Sequence, residues 1–221
     1  PSPATPAPAP PAPMPSPGRS AGTVSAEELK FFELTNQARA KGFTCPANEG
    51  YEAKVYPANP TPMHFDCRLW EAAHGHAEDM ATNNYFDHTG LDGSSPFDRT
   101  KAAGVSTPMI GEVLSCGQST AQDALEALLQ SAAHCRIIGD PAYNHLGAGL
   151  GSSESSTYKN YWAGVFASDT EAPTMGCFSV GLRLPGWMVD TPRPAVGIVA
   201  GSAWSRIADE VEDKVEGDNK R

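Results

Sequence analysis

The sequence has no apolar run approaching the roughly 20 residues that a membrane-spanning helix needs. The nearest candidate, residues 186–204, is interrupted by Asp190, Arg193 and two prolines. Positive charge is also scarce, since 16 Lys and Arg against 26 Asp and Glu give a net charge of -10. Such a chain is repelled on average by DNA, RNA and acidic membrane surfaces. We therefore expect neither a transmembrane span nor nucleic-acid binding.

Several sequence signatures of common enzymes and metal sites are also missing. No His-Glu-x-x-His, phosphate-binding glycine loop or dinucleotide fingerprint occurs. None of the five cysteines lies in a Cys-x-x-Cys or zinc-finger spacing, which argues against a structural zinc site or a thioredoxin-type redox motif. Widely spaced single cysteines favour long-range disulfides and an oxidising compartment, although buried thiols also occur in cytosolic enzymes.

Length and composition predict one globular domain with loose ends. The 221 residues are 40% hydrophobic, enough for one good core. Residues 1–25 are almost entirely Pro, Ala, Ser and Gly, which is typical of an extended tether to a surface or of a tail without a role. Residues 186–221 are expected to be a tail, which has apolar residues at helical spacing and is either a helix that packs on the domain or a segment that frays. Because the sequence starts without Met or an apolar leader, we expect any signal peptide to have been removed.

The strongest local pattern is a helix from residue 69 onwards that ends shortly before a histidine. Asp66 is placed to cap its start, and its apolar stripe has a period of 3.6 residues and comprises Leu69, Ala73, His76 and Met80. The pattern stops at Asn83, so His88 is expected at the mouth of a glycine-rich loop. His74 and His76 resemble the metal-ligand motif of a metallohydrolase only superficially. Both lie inside a helix, where the side chains of residues i and i+2 point about 200° apart. We interpret His76 as a core histidine and His74 as a surface residue.

The other elements are predicted from caps, breakers and short apolar runs. A Ser25-x-x-Glu28 capping box opens the first helix, Gly42 ends it, and residues 45–62 show no sign of regular structure. A short helix is expected over 96–103, a strand or turn over 109–114, and a helix over 119–134 in which Ser131 and His134 close the last turn. Strands are expected over 145–150, 158–167 and 177–184. Helices first and strands later favour a layered α+β domain.

Three residues from separate segments are candidates for chemistry. His88 follows the end of one predicted helix, His134 lies at the end of another, and Glu112 lies in an otherwise apolar segment. Two imidazoles near a carboxylate are suited to a divalent metal or to acid/base work in a cleft, and the alternative is two hydrogen-bonded histidines without a function. Ser131 with His134 and Glu112 also has the composition of a catalytic triad. No Gly-x-Ser-x-Gly elbow surrounds this serine, which argues against that interpretation.

A set of ordered motifs resembles a bacterial-type CAP domain, of the superfamily that includes cysteine-rich secretory proteins, insect venom antigens and plant pathogenesis-related proteins. The resemblance covers roughly residues 27–167 and is carried by the segments 34–39, 72–80, 85–90, 92–96, 111–112, 131–135 and 158–162, together with Arg99. It implies a CAP domain at residues 26–185, a secreted protein, and an α-β-α sandwich with a small three-stranded antiparallel sheet between helical layers.

The resemblance also implies a site. The cleft of the family is lined by two histidines and acidic residues, and the matching positions are His88, Glu112 and His134, with Ser131 at the second acidic position. Some relatives bind zinc or other divalent ions there, and others bind sterols or fatty acids elsewhere on the fold. The resemblance pairs Cys45 with Cys135; Cys67 is then left to Cys116, and Cys177 is unpaired.

The sequence departs from the family pattern next to the cleft. The amide that usually follows the glutamate is replaced by Val113, a usual tryptophan by Leu128, and Pro-Gly before the histidine by Ala132-Ala133. Loss of the amide predicts weaker support for Glu112 and weaker metal binding.

Three functions remain open at this point. The first is a monomeric, secreted or surface-tethered binding protein whose cleft holds a divalent ion, or which has a groove for a lipid or sterol. The second is a metal-assisted or Ser/His hydrolase, since the fold alone does not decide the activity. The third is a structural interaction module.

Overall fold

The computed structural model describes residues 22–169 and 171–178. Most of the expected tether, the expected strand after residue 178 and the tail at 186–221 lie outside these residues. Within them are five helices and six strands: α1 (Ala26–Lys41), β1 (Phe43–Cys45), β2 (Lys54–Tyr56), β3 (His64–Phe65), α2 (Cys67–Asn83), α3 (Pro96–Ala102), β4 (Ile110–Cys116), α4 (Ala121–Leu129), α5 (Ala132–Gly139), β5 (His145–Ser152) and β6 (Asn160–Ala167). None of these helices combines the length and apolar character needed to cross a bilayer.

The main sheet has four strands in the order β3-β5-β6-β4. The three long strands are antiparallel, as expected, with β6 between β5 and β4. The two-residue strand β3 adds a parallel edge beside β5, with His64 opposite His145 and Phe65 opposite Leu146. A separate antiparallel hairpin, β1–β2, lies in the segment that was expected to be irregular. That expectation was wrong because three-residue strands are too short to show a periodic pattern.

Helices cover both faces of the main sheet. On one face the α2 stripe of Leu69, Ala73 and Met80 is fully buried against side chains of β4 and β6. On the other face α1, α4 and α5 enclose a second core, in which Phe31 stacks on Trp162 with ring centroids 5.9 Å apart. This arrangement is the expected α-β-α sandwich.

Glycines in β5 allow α2 to lie directly on the sheet. A Cβ added at Gly147, Gly149 or Gly151 would overlap the α2 backbone, because the helix passes over the strand without a layer of side chains between them. Their sequence, Gly-x-Gly-x-Gly, places all three on one face of the strand. The start of the helix is fixed by Asp66, whose carboxylate accepts the backbone N–H of Arg68 at 2.9 Å.

His74 does not lie on the surface as expected. Its side chain is 14% exposed, and Nδ1 lies 2.7 Å from Oε1 of Glu28, a buried residue in the first turn of α1. Its ring also stacks on Trp70 at 4.8 Å. His76 is buried, as interpreted, and its Nε2 lies 2.9 Å from the backbone carbonyl of Asp87.

The expected single helix over 119–134 is two helices. Thr120 caps α4, which ends at Leu129, and Ser131 caps a new helix, α5, by accepting the backbone N–H of His134 at 3.3 Å. His134 therefore lies in the first turn of α5 and does not close α4. Serine and threonine favour such cap positions because the hydroxyl satisfies an otherwise unpaired helix N–H.

Two disulfides are present, and one of them differs from expectation. Cys45 pairs with Cys135, which ties the small hairpin to α5. Cys67 pairs with Cys177 and not with Cys116, which is a free thiol. The reason is position along the sheet, since Cys67 begins α2 at one end of the strands and Cys116 ends β4 at the other. A seven-residue strand spans about 20 Å, whereas a disulfide needs Cα atoms within about 7 Å.

Candidate functional site

Three separate elements bring the expected site residues together. His88 follows α2 in a turn, Glu112 lies in β4, and His134 lies in the first turn of α5. The two histidines line a pocket of about 220 Å³, together with Phe86, Asp87 and Leu114. Glu112 lies behind His88, and its side chain is only 2% exposed. We call this pocket, with Glu112, the cleft.

The carboxylate of Glu112 fixes the orientation of the His88 ring. Its Oε1 lies 2.8 Å from Nδ1 of His88, and its Oε2 accepts a hydrogen bond of 2.8 Å from Nη2 of Arg99. A carboxylate beside a guanidinium accepts hydrogen bonds, so Nδ1 of His88 is the donor. In the neutral ring, Nε2 then carries the lone pair. The His88 side chain is 50% exposed and lines the pocket.

Arg99, which the sequence offered only as one of the family's motif residues, also belongs to the site. Its Nη2 also donates to the backbone carbonyl of His88 at 2.9 Å, and its Nη1 donates to that of Ser94 at 2.9 Å. The guanidinium thus joins the loop that carries His88 to the carboxylate that orients its ring. The sequence signal was weak, because an arginine in a short helix is usually a surface residue.

His134 faces His88 across the cleft, with ring centroids 6.4 Å apart. Burial lowers the pKa of His134 below its usual 6.5, the neighbouring His88 lowers it further, and the carboxylate of Glu49 partly opposes both effects. His134 is therefore a neutral imidazole near neutral pH. A neutral ring can bind a metal ion or accept a proton.

The hydroxyl of Ser131 is used in capping and does not lie on an imidazole. It donates to Oε2 of Glu49 at 2.9 Å, and the same oxygen accepts the backbone N–H of Ala133 at 3.0 Å. These bonds, first that of Ala133 and then that of Ser131, lower the pKa of Glu49. The structure brings His88, Glu112 and His134 together but does not align Ser131 as a nucleophile. Glu49 was not identified from the sequence, since its partners lie 82 and 84 residues away.

The cleft offers the two imidazoles of His88 and His134 to a metal ion. Within the described residues, no group of three or more His, Cys, Asp or Glu side chains is arranged to hold a metal. Both oxygens of Glu112 are already engaged, one by His88 and the other by Arg99. A metal ion held here would complete its coordination with water or with atoms of a ligand.

Comparison with known proteins gives relatives in bacteria. The Bacillus subtilis (strain 168) protein YkwD is 34% identical over 133 residues, which cover 60% of this chain and 46% of that protein. The membrane protein YlbC of the same strain is 35% identical over 88 residues, covering 40% of this chain and 25% of that protein. The chain thus spans less than half the length of either relative.

Among solved structures, an extracellular protein of Bacillus anthracis that contains an SCP domain is 23% identical. The match covers 65% of this chain and 40% of that chain, with a TM-score of 0.49. An outer surface protein of Borrelia burgdorferi is 18% identical, and the match covers 64% of this chain and 92% of that chain, also with a TM-score of 0.49.

A match to a protein family covers more than half of the chain. Residues 32–166 match the family described as "CAP: Cysteine-rich secretory protein family". This range contains all the cleft residues and both members of the Cys45–Cys135 disulfide. The chain therefore belongs to the cysteine-rich secretory protein (CAP) family.

Proposed function

We propose that this protein is a secreted or surface-tethered CAP-domain binding protein whose cleft holds a divalent transition metal ion between His88 and His134. The observation that carries the proposal is the hydrogen bond from His88 to the buried carboxylate of Glu112. It leaves Nε2 of His88 available to bind an ion, across the cleft from the neutral imidazole of His134. Histidines that bind metals usually donate their other ring N–H to a carboxylate in this way.

The donor chemistry fits a borderline ion such as zinc. Imidazole nitrogens bind zinc at about 2.0–2.1 Å, and two of them leave open positions for water or a ligand. Ring centroids 6.4 Å apart are near the upper limit for two imidazoles on one ion, so we expect the rings to approach each other on binding. His88 lies in a turn and is half exposed, so this movement needs no change in the core.

The size of the cleft favours a small ligand. Its volume of about 220 Å³ is below the roughly 300–1,000 Å³ of pockets that enclose drug-sized molecules. An ion with a short ligand group fits this pocket better than a sterol or a fatty acid does.

A calorimetric zinc titration near neutral pH tests the proposal. We expect one binding event of the intact protein to be lost in both His88→Ala and His134→Ala. Glu112→Gln should weaken the same event about 10- to 100-fold, because an amide holds the His88 ring less firmly than a carboxylate does. His74→Gln is the matched control, since this histidine lies outside the cleft. Zinc binding that is equal in all four variants and the intact protein would exclude the cleft as the site.

A second candidate is hydrolysis with His88 as general base, and the same Glu112–His88 hydrogen bond favours it. Because the Ser131 hydroxyl donates to Glu49, the nucleophile in this mechanism is a water molecule. A panel of ester and peptide substrates tests it with and without zinc. Turnover that disappears in His88→Ala would support the enzyme, and no turnover by the intact protein would count against it. A protein with neither zinc binding nor turnover would leave the lipid groove and the interaction module as the remaining functions.

A further inference from the structure

A second pair of histidines lies at the edge of the main sheet, away from the cleft. His64 in β3 and His145 in β5 are directly opposite in the parallel register, and their ring centroids are 5.5 Å apart with planes tilted by 41°. His145 is 3% exposed, whereas His64 is partly exposed. Because β3 is the edge strand, the pair lies close to solvent on one side.

Asn144 determines which nitrogen of His145 carries the proton. The amide of Asn144 donates from Nδ2 to the carbonyl of Asp169 at 2.7 Å, and its Oδ1 accepts the backbone N–H of Asp169 at 2.9 Å. These two bonds fix Oδ1 as the acceptor for Nδ1 of His145, 2.8 Å away. In the neutral ring, Nε2 of His145 is therefore the nitrogen with a lone pair.

This lone pair is buried and unused by the protein. Within the residues that the structure describes, neither Nε2 of His145 nor Nδ1 of His64 has a hydrogen-bond partner, although both atoms are buried. Leaving a buried polar atom unpaired costs about 1–3 kcal/mol. One group bound between these two adjacent rings would satisfy both atoms.

The charges around the pair favour a cation. Asp66 and Asp169 both lie near enough to His145 to act on it electrostatically. They share the guanidinium of Arg68 with Glu171, so three carboxylates surround one positive group. Glu171 is exposed, but Asp66 and Asp169 are buried and screened little by solvent, so their negative charge attracts a divalent ion.

We propose that His64 and His145 form a second metal site, in which Nδ1 of His64 and Nε2 of His145 bind one divalent transition metal ion of the class that prefers imidazole. Ring centroids 5.5 Å apart suit one tetrahedral ion with each nitrogen about 2.1 Å from it. Asn144 orients His145 as an outer-shell partner does in known metal sites. Water completes the coordination, since no third protein ligand is arranged here among the described residues.

The test uses a protein in which the cleft cannot contribute. The double variant His88→Ala, His134→Ala is titrated with zinc by calorimetry, and we expect one binding event to remain. Adding His64→Phe should weaken it at least about tenfold, and adding Asn144→Ala should weaken it about 10- to 100-fold. Adding His74→Gln to the double variant is the matched control and should leave the event unchanged.

Nitrogen NMR of the imidazole rings gives an independent result on the unsubstituted protein. We expect His145 to carry its proton on Nδ1 and zinc to shift the resonances of Nε2 of His145 and Nδ1 of His64. This measurement decides the question if His64→Phe does not fold. A double variant that binds no zinc while the intact protein does would overturn the edge site and leave the cleft site standing. Unchanged binding after His64→Phe, or unshifted His145 and His64 resonances, would also overturn it.

Discussion

The buried ion pair between His74 and Glu28 predicts a stability that depends on pH. Oε1 of Glu28 lies 2.7 Å from Nδ1 of His74 and accepts the backbone N–H of Leu150 at 3.0 Å, so one carboxylate joins α1, α2 and β5. Glu78 lies 3.3 Å from the other ring nitrogen of His74. Both nitrogens of the ring therefore face carboxylates, an arrangement that favours the charged imidazolium.

The pKa shifts set the pH window. Burial alone would lower the pKa of His74, but the hydrogen bond and charge of Glu28, with those of Glu78, raise it above 6.5. Burial alone would raise the pKa of Glu28, but hydrogen bonds from His74 and Ser25 lower it below 4.5. The contribution of His74 to the stability of the folded protein is therefore fully present below pH 6.5, and it is lost as the pH rises through the pKa of His74 in the folded state. That of Glu28 is present above pH 4.5 and is lost as the pH falls through its folded pKa.

The variant His74→Gln measures the size of this contribution. Removing one partner of a buried ion pair costs about 3–5 kcal/mol, and glutamine recovers part of this because its amide still donates to Glu28. We expect a loss of about 2–3 kcal/mol in the free energy of unfolding between pH 4.5 and 6.5. Above the folded pKa of His74 the difference should fall to within about 1 kcal/mol.

Urea unfolding followed by circular dichroism across this pH range provides the assay. Plotted against pH, the free energy of unfolding of the parent protein should decline on the alkaline side, and that of His74→Gln should stay nearly level there. Glu78→Gln is the control, because Glu78 is 52% exposed and its loss should change the curve by less than about 1 kcal/mol. Parallel curves for the parent and His74→Gln would refute the reasoning.

Three further predictions concern the packing and the disulfide that support the cleft. Gly149→Ala should lower the free energy of unfolding by about 2–3 kcal/mol, because its Cβ would overlap the α2 backbone. Gly75→Ala should raise the free energy of unfolding by about 1 kcal/mol, because a Cβ added there has no atom within 4 Å and alanine favours a helix over glycine. Thermal melts of the two glycine variants check both values. Replacing Cys45 and Cys135 by serine should cost about 2–5 kcal/mol in urea unfolding, since the closed loop spans 90 residues. Val113→Asn should cost about 1–3 kcal/mol by burying an unpaired amide but leave the zinc titration of the cleft unchanged.

Features determined by neighbouring residues were predictable from the sequence. The Ser25–Glu28 capping box, Asp66 at the start of α2 and Pro96 in the first turn of α3 are all present, because each acts within a few residues. The buried stripe of α2 followed from its period. The positions of His88, Glu112 and His134 in the chain suggested a shared site as one of two interpretations, and the ordered motifs of the family implied the same three residues.

Features determined by distant contacts were not predictable. Ser131 begins α5 because residues 48 and 49 supply further caps from more than 80 residues away. His74 is paired with a carboxylate 46 residues earlier, and nothing in its own helix indicates this. The sequence allowed several pairings for Cys67 and Cys116. The pairing with Cys177 depends on the segment after β6, which returns to the start of α2. There the backbone N–H of Cys67 donates to the carbonyl of Thr174 at 2.9 Å.

Val113, which replaces the amide usual in the family, lies on the side of the sheet away from the cleft. Successive side chains of a strand point to opposite faces, so Glu112 and Leu114 face α2 while Val113 packs with Phe31 under α1. An amide at this position would lie behind the sheet from the carboxylate of Glu112. The carboxylate is instead held by Arg99, whose guanidinium occupies the oxygen that His88 leaves free. The substitution is therefore a change in the core, and it gives no physical reason to expect weaker binding in the cleft.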